Sequence, residues 1–114
     1  MTLSRLVLVL LIGAAALSSA CGGSYSCQDL CTASNACPGT TTKDDCPSSC
    51  GRLATLNASA SCGSQFDAIL SCADGHQSAI CTQASTSPCS AQINAYGGCV
   101  SAYCSAHQSD ANCK

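Results

Sequence analysis

The feature that most constrains this chain is a pair of Cys-x3-Cys segments, Cys27 to Cys31 and Cys46 to Cys50, with fourteen residues between them. Residues four apart lie on one face of a helix, so each segment predicts a helix with two sulfur atoms on the same side. Two such helices, antiparallel and joined by a short loop, place Cys27 opposite Cys50 and Cys31 opposite Cys46. The spacing therefore predicts a helical hairpin cross-linked by two disulfides.

The second half of the chain repeats this arrangement at a longer interval. Cys62 and Cys72 are ten residues apart, as are Cys89 and Cys99. An antiparallel helix pair would place Cys62 opposite Cys99 and Cys72 opposite Cys89. Four further cysteines have no helical spacing that selects their partners: Cys37, Cys81, Cys104 and Cys113. The last two are near enough in sequence to pair with each other, but twelve cysteines allow many other connectivities.

Helix-start signals support the first hairpin. Ser26, followed three residues later by Asp29, is an acidic variant of the capping box, which predicts that the first helix starts at Ser26. Pro47 is tolerated only in the first turn of a helix, so the second helix is expected to begin at Asp44 or Asp45.

Similar signals predict two more helices. Ser64 and Asp67 repeat the Ser-x-x-Asp pattern before an amphipathic helix that ends near residues 74–75. Ser87 followed by Pro88 predicts the start of the fourth helix. Its apolar residues recur at spacings of four and three, which is typical of a helix packed against a neighbour: Cys89, Ile93, Tyr96, Val100 and Tyr103.

Beyond residue 20 the chain has few large apolar side chains. They are Leu30, Leu53, Leu56, Phe66, Ile69, Leu70, Ile80, Ile93 and Val100, together with Tyr25, Tyr96 and Tyr103. Such a core would hardly offset the conformational entropy lost when about ninety residues become ordered. Disulfides, at roughly 2–4 kcal/mol each, must supply the difference. The sequence therefore predicts an all-α, small disulfide-rich domain of about four short helices, arranged as two cross-linked helical hairpins.

Residues 1–20 have the features of an export signal. Arg5 provides the positive charge, residues 6–17 form an almost uninterrupted apolar run, and residues 18–20 are the small residues of a cleavage site. This run is too short to span a bilayer core of about 30 Å. Export would place the cysteines in an oxidising compartment, where disulfides persist.

The segment Leu-Ser-Ser-Ala-Cys at residues 17–21 resembles the lipobox of bacterial lipoproteins, with Ser18 where that family usually has a bulky aliphatic residue. The resemblance implies that Cys21 carries a fatty-acyl anchor. Residues 22–24, Gly-Gly-Ser, have the composition of a flexible tether, so we assign residues 21–26 to the lipidated cysteine and its tether. Gly22 resembles the sorting pattern of outer-membrane lipoproteins. An ordinary signal-peptidase site would instead give a secreted protein. Lipidation of Cys21 leaves an even set of twelve among the 13 cysteines, and this parity favours the anchor.

Charge and cysteine spacing argue against two classes of partner. Beyond residue 21 the chain carries a net charge of −3, so the basic surface that binds nucleic acid is not indicated. The sequence contains no Cys-x2-Cys or Cys-x-Cys, the tight spacings of zinc fingers and thioredoxin-type redox motifs. We expect no metal and no cofactor.

Candidate catalytic residues have simpler structural explanations. Residues 62–64, Cys-Gly-Ser, match three letters of a papain-like nucleophile segment, but the following residues depart from it. His107 is expected near a helix C-terminus and His76 in a turn. Residues 44–45, both Asp, are explained as helix-start residues, and the sequon at Asn57 is accidental in a bacterial lipoprotein. We therefore expect no catalytic residues, with a hydrolase that depends on a histidine as a minor alternative.

Two resemblances follow from these motifs. Residues 27–50 resemble the α-hairpinin class of disulfide peptides, in which the outer and inner cysteines pair and members act as antimicrobial or protease-inhibiting peptides. Cys37 has no counterpart in that class. Nearly the whole chain resembles small cysteine-rich lipoproteins of the myxobacterial type: a lipobox, two Cys-x3-Cys helices, and cysteines flanking amphipathic segments at 66–72 and 96–104. That family has no general function to transfer.

These observations predict a signal peptide at 1–20, a lipidated tether at 21–26 and a disulfide-stapled domain at 27–114. The expected role is a non-enzymatic structural or binding module, held to the membrane through Cys21 and contacting an unidentified protein or surface partner. The alternative is a secreted disulfide-rich effector such as a protease inhibitor, with Lys43 in the first hairpin loop as the candidate reactive residue.

Overall fold

The computed structural model describes residues 25–114, and within this part of the chain the structure is helical with no strand. The predicted signal peptide at 1–20, the predicted lipidation site Cys21 and the predicted sorting residue Gly22 lie outside the described residues. Four α-helices and two short 3-10 helices follow in order: α1 (Cys27–Asn35), α2 (Cys46–Ala60), α3 (Gly63–Gly75), η1 (Gln77–Ala79), α4 (Ser90–Ala106) and η2 (Ala111–Cys113). The predicted all-α class with four helices is confirmed.

Helices α1 and α2 form the first cross-linked hairpin. Disulfides join Cys27 to Cys50 and Cys31 to Cys46, with Cα–Cα distances of 5.9 and 5.7 Å, in the pairing that the spacing predicts. The capping box at the start of α1 is present: the Ser26 hydroxyl accepts the Asp29 N–H at 3.1 Å, and the Asp29 carboxylate accepts the Ser26 N–H at 2.9 Å. Sequence signals thus locate this helix start correctly.

The start of α2 also agrees with the prediction. Asp45 occupies the N-cap position and Pro47 lies in the first turn, where its missing N–H leaves no hydrogen bond unmade. The side chain of Asn35, at the end of α1, accepts the Asp44 N–H and donates to the Asp44 carbonyl oxygen, both at 2.9 Å. This pair of hydrogen bonds ties the end of the hairpin loop to the helix before it.

Helices α3 and α4 form the second hairpin, with disulfides Cys62–Cys99 and Cys72–Cys89 at Cα–Cα distances of 6.0 and 5.8 Å. Phe66 of α3 packs on Tyr96 of α4, with ring centroids 5.4 Å apart. Together the rings and the cross-links hold the two helices face to face.

Both helices of the second hairpin begin at positions that differ from their sequence signals. Helix α3 starts at Gly63, because the Cys62 carbonyl already accepts the Phe66 N–H, and the predicted cap Ser64 lies inside the first turn. Helix α4 starts at Ser90, although the Ser87 hydroxyl accepts the Cys89 N–H at 3.1 Å. In each case a cysteine takes the N-cap position.

The two hairpins are joined by the disulfide Cys37–Cys81, which connects the α1–α2 loop to the segment between α3 and α4. A sixth disulfide, Cys104–Cys113, holds the C-terminal 3-10 helix to the end of α4. The core is as thin as the composition predicts, since three of its five buried apolar residues are cysteines: Cys46, Leu56, Cys62, Ala73 and Cys89. In this core, cystine sulfur takes much of the place that aliphatic side chains occupy in a larger domain.

Candidate functional site: an apolar cavity beside the Cys72–Cys89 disulfide

A cavity of about 280 Å³ lies where α1, α3, α4 and the segment between the last two helices meet. Its apolar walls are aliphatic: Leu30, Ile69, Ala73, Ala79, Ile80, Ala84 and Ile93. Polar atoms come from His76, Thr82 and Ser87, and Cys89 completes the lining. The volume is near the lower end of the range for small-molecule sites, which are mostly apolar with a few polar groups.

Local sequence explains how these side chains converge. Ile69 and Ala73 are four residues apart on α3 and therefore share one face, and Ile93 projects from the first turn of α4. Leu30 comes from α1, which is fixed by its disulfides. Ile80 lies in the connection that Cys81 anchors to the first hairpin. The cavity therefore depends on both hairpins and on the cross-link between them.

At one edge of the cavity His76 lies beside a disulfide. Its Nδ1 is 3.8 Å from Cys72 Sγ and 3.0 Å from the Cys72 carbonyl oxygen. The sulfur atoms of Cys72 and Cys89 and a ring nitrogen of His76 all lie within 4.8 Å of one another, a grouping that resembles a metal-ligand set. Because the two sulfurs are bonded to each other, neither is the thiolate that a metal requires.

Tyr25 is the first residue that the structure describes, and it lies close to the C-terminal end of α3. Partial burial raises the pKa of the Tyr25 phenol, and the carboxylates of Asp29 and Asp74 raise this pKa further. Asp74 lies between the cavity residues Ala73 and His76 in sequence. The described chain thus begins near the C-terminal end of α3.

The structure separates the two histidines that the sequence singled out. His76 lines the cavity, whereas His107 stacks on Tyr103, with ring centroids 4.2 Å apart. Each ring nitrogen Nδ1 lies within hydrogen-bonding distance of the carbonyl oxygen four residues earlier, at 3.0 Å for His76 and 2.9 Å for His107. Both imidazoles therefore make the same contact with the backbone, but only His76 also lies beside a cystine sulfur.

Other candidate residues have structural partners. Cys62, of the papain-like Cys-Gly-Ser segment, is fully buried and bonded to Cys99, so it offers no thiol nucleophile. Asn57, the sequon asparagine, is 9% exposed, and its Oδ1 accepts the Tyr96 hydroxyl at 2.8 Å. Asp45 holds the N-cap position of α2 and accepts the Ser48 hydroxyl.

Lys43 lies exposed in the α1–α2 loop, as predicted for the first hairpin. The loop is fixed at both ends, because Cys37 near its start is bonded to Cys81 and Cys46 just beyond it is bonded to Cys31. The Asn35 side chain adds the two hydrogen bonds to Asp44, the residue after Lys43.

The sequence missed the cavity and the contact between His76 and the disulfide. A signal for the contact existed: Cys72 and His76 are four apart at the end of a predicted helix, and Cys72 was expected to pair with Cys89. Ile80, Thr82 and Ala84 gave no such signal, since they lie in a polar segment whose path is set by the Cys37–Cys81 bond. Only the assembled fold brings them to the cavity.

Comparison of the chain with protein-family models, with curated proteins and with solved structures gave no match. Among residues 25–114, no helix is both long enough and apolar enough to cross a membrane.

Proposed function

We propose that this chain is a non-enzymatic lipoprotein, anchored through an acylated Cys21 to the bacterial outer membrane, where it acts as a structural or binding module. The observation that carries the proposal is the cysteine pairing. The six disulfides use all twelve cysteines of residues 25–114, which leaves Cys21 as the thirteenth. An unpaired thiol directly after an export signal is explained if that thiol carries the lipid.

The fold supports a passive role at an exposed surface. Four helices with a small core are cross-linked within and between hairpins, so local unfolding, which exposes a chain to proteases, is restrained. The cavity of about 280 Å³ offers a preformed site for a small aliphatic group. Its lining has one imidazole, His76, and two hydroxyls, from Thr82 and Ser87, that would orient such a group.

The anchor is tested by the mass of the unreduced protein purified from membranes after alkylation of free thiols. A diacylglyceryl adduct at Cys21, with no alkylation at the other twelve cysteines, is the expected result. C21S should abolish the adduct and release the protein from the membrane fraction. The matched control is C104S/C113S, which also removes cysteines but should remain lipidated and membrane-bound. A soluble product that carries an alkylated Cys21 would refute the anchor.

A second candidate function, a secreted protease inhibitor, is favoured by one specific observation. Lys43 is exposed on a loop that two disulfides and the Asn35 hydrogen bonds hold in one conformation. A pre-organised loop loses little conformational entropy when it binds, which is the property an inhibitory loop needs. A trypsin-like protease would accept a lysine side chain at the reactive position.

Trypsin inhibition distinguishes the two candidates. An inhibitor should block trypsin at micromolar concentration and lose this activity in K43A, while R52A, which removes an exposed cation from α2, should retain it. Absence of inhibition by the intact chain would eliminate this alternative and leave the anchored module.

A further inference from the structure

We propose that the Cys72–Cys89 disulfide is a thiol–disulfide exchange site, which a small dithiol opens by attacking Cys89 while His76 stabilises the departing Cys72 thiolate. A structural or binding module does not require this bond to open. The inference rests on the position of the imidazole, on the position of Cys89 and on the cavity that reaches it.

The imidazole lies beside the sulfur that would leave. His76 Nδ1 is 3.8 Å from Cys72 Sγ and 3.0 Å from the Cys72 carbonyl oxygen. Because a carbonyl oxygen only accepts hydrogen bonds, Nδ1 carries the proton of this pair, and the sulfur lies next to the same donor. A neighbouring donor or cation stabilises a thiolate, and a disulfide opens faster when the departing thiol is a stronger acid.

A small thiolate bound in the cavity meets Cys89, because the cavity lining includes Cys89 and does not include Cys72. Cys89 is only 6% exposed, but it lines the cavity together with His76. It also occupies the N-cap position of α4, a helix of 17 residues, whose positive end attracts a thiolate. A cavity of about 280 Å³ has room for a small dithiol.

Among the disulfides of residues 25–114, only Cys72–Cys89 has an imidazole beside it. Within residues 25–114, a single cluster brings a third His, Cys, Asp or Glu ligand atom within 4.8 Å of two cysteine sulfurs, and it consists of Cys72, His76 and Cys89. The other described imidazole, His107, stacks on Tyr103. The structure therefore provides an internal comparison, the Cys104–Cys113 disulfide, whose cysteines are half-buried as Cys72 is.

The chemistry balances with the dithiol as the reductant. One thiolate of the dithiol forms a bond to Cys89 Sγ, the bond between the two protein sulfurs breaks, and its electron pair leaves on Cys72 as a thiolate, which takes up a proton from water. The second thiol of the reagent, as its thiolate, then displaces Cys89 from the mixed disulfide. Two protein thiols are formed, and the dithiol is oxidised to a cyclic disulfide.

The experiment follows individual disulfides in the full, oxidised chain. The protein is treated with limiting dithiothreitol, sampled over time, quenched in acid, alkylated at the new thiols and mapped by peptide mass. In wild type we expect alkylation of Cys72 and Cys89 before that of Cys104 and Cys113. In H76Q the rate at the first pair should fall by about threefold or more, because the leaving thiolate loses the imidazole N–H and keeps at most a weaker amide donor.

Two variants serve as controls. H107Q removes the other imidazole, which makes the same contact to a carbonyl four residues earlier, and should leave every rate unchanged. H76K places an ammonium donor beside Cys72 and should recover part of the lost rate. The proposal is overturned if Cys72–Cys89 opens no faster than Cys104–Cys113 in wild type, or if H76Q and H107Q open it at equal rates. The wild-type comparison stands even if a variant fails to fold.

Discussion

Asn57 and Tyr96 form the polar contact that fixes α2 against α4. The Asn57 Oδ1 accepts the Tyr96 hydroxyl at 2.8 Å, and the Asn57 side chain is almost fully buried. Burial also raises the pKa of the Tyr96 phenol. Y96F would leave the Asn57 oxygen buried without a donor, which typically costs about 1–3 kcal/mol. We expect a loss of this size in the free energy of unfolding, measured in denaturant with the disulfides intact.

The control for this change is Y103F. The Tyr103 hydroxyl donates to the Asp110 carboxylate at 2.8 Å, but Asp110 also accepts the Asn112 N–H, so its oxygens stay partly satisfied without the tyrosine. A smaller loss of stability is expected. Equal losses for Y96F and Y103F would mean that burial of Asn57 does not set the cost.

The Tyr103–Asp110 contact predicts a pH dependence of its own. The hydrogen bond to Asp110 raises the pKa of Tyr103 above 10.0, and the Asn112 N–H, followed by the Tyr103 hydroxyl, lowers the pKa of Asp110 below 3.8. Because the pKa of Tyr103 is raised in the folded protein, its contact with Asp110 contributes stability below pH 10.0, and this contribution is lost as pH rises through the folded-state pKa of Tyr103. Because the pKa of Asp110 is lowered in the folded protein, its contacts contribute stability above pH 3.8, and this contribution is lost as pH falls through the folded-state pKa of Asp110. Absorbance at 295 nm should show one phenol titrating earlier in D110N than in wild type.

At the scale of single helices, local signals predicted which segments are helical more accurately than where each begins. Ser26 and Asp29 form the predicted capping box, and Pro47 lies in the predicted first turn of α2. The starts of α3 and α4 differ because Cys62 and Cys89 hold the N-cap positions, and neither cysteine side chain caps its helix with a hydrogen bond. The cross-linking and burial of these two cysteines determine where α3 and α4 begin. Helix-capping preferences take account of neither effect.

This difference predicts unequal effects for two similar substitutions. S26A removes the side-chain acceptor of the α1 capping box and should destabilise the protein by about 1 kcal/mol, with faster amide exchange at Asp29. S64A removes a hydroxyl that bonds only to the side chain of Gln65 and should be nearly neutral. Denaturant unfolding and hydrogen exchange measure both. A larger cost for S64A would mean that the Ser64 hydroxyl stabilises α3 in the way the sequence pattern predicted.

At the scale of the whole molecule, a disulfide could be predicted where both of its cysteines lie at regular spacings on helices. Four disulfides follow from spacings within predicted antiparallel helices, whereas proximity in sequence is consistent with Cys104–Cys113 but does not select it. Cys37 and Cys81 lie in irregular segments, which have no repeating geometry from which a partner could be inferred. The cavity was missed for the same reason, because its connection residues are placed by this bond.

The Cys37–Cys81 disulfide should therefore contribute most to the integrity of the domain. It joins the two hairpins and closes the longest loop of the six, with a sequence separation of 44, whereas Cys104–Cys113 spans 9. Loop-closure entropy predicts a cost of about 4 kcal/mol for C37S/C81S and about 2.6 kcal/mol for C104S/C113S. Both hairpins keep their internal cross-links in C37S/C81S, so amide exchange should accelerate most at Ile80 and Thr82 on the cavity wall, whose N–H groups are hydrogen-bonded in the intact protein. If C104S/C113S destabilises the protein more, the hairpins are held together by helix packing and the inter-hairpin bond is secondary.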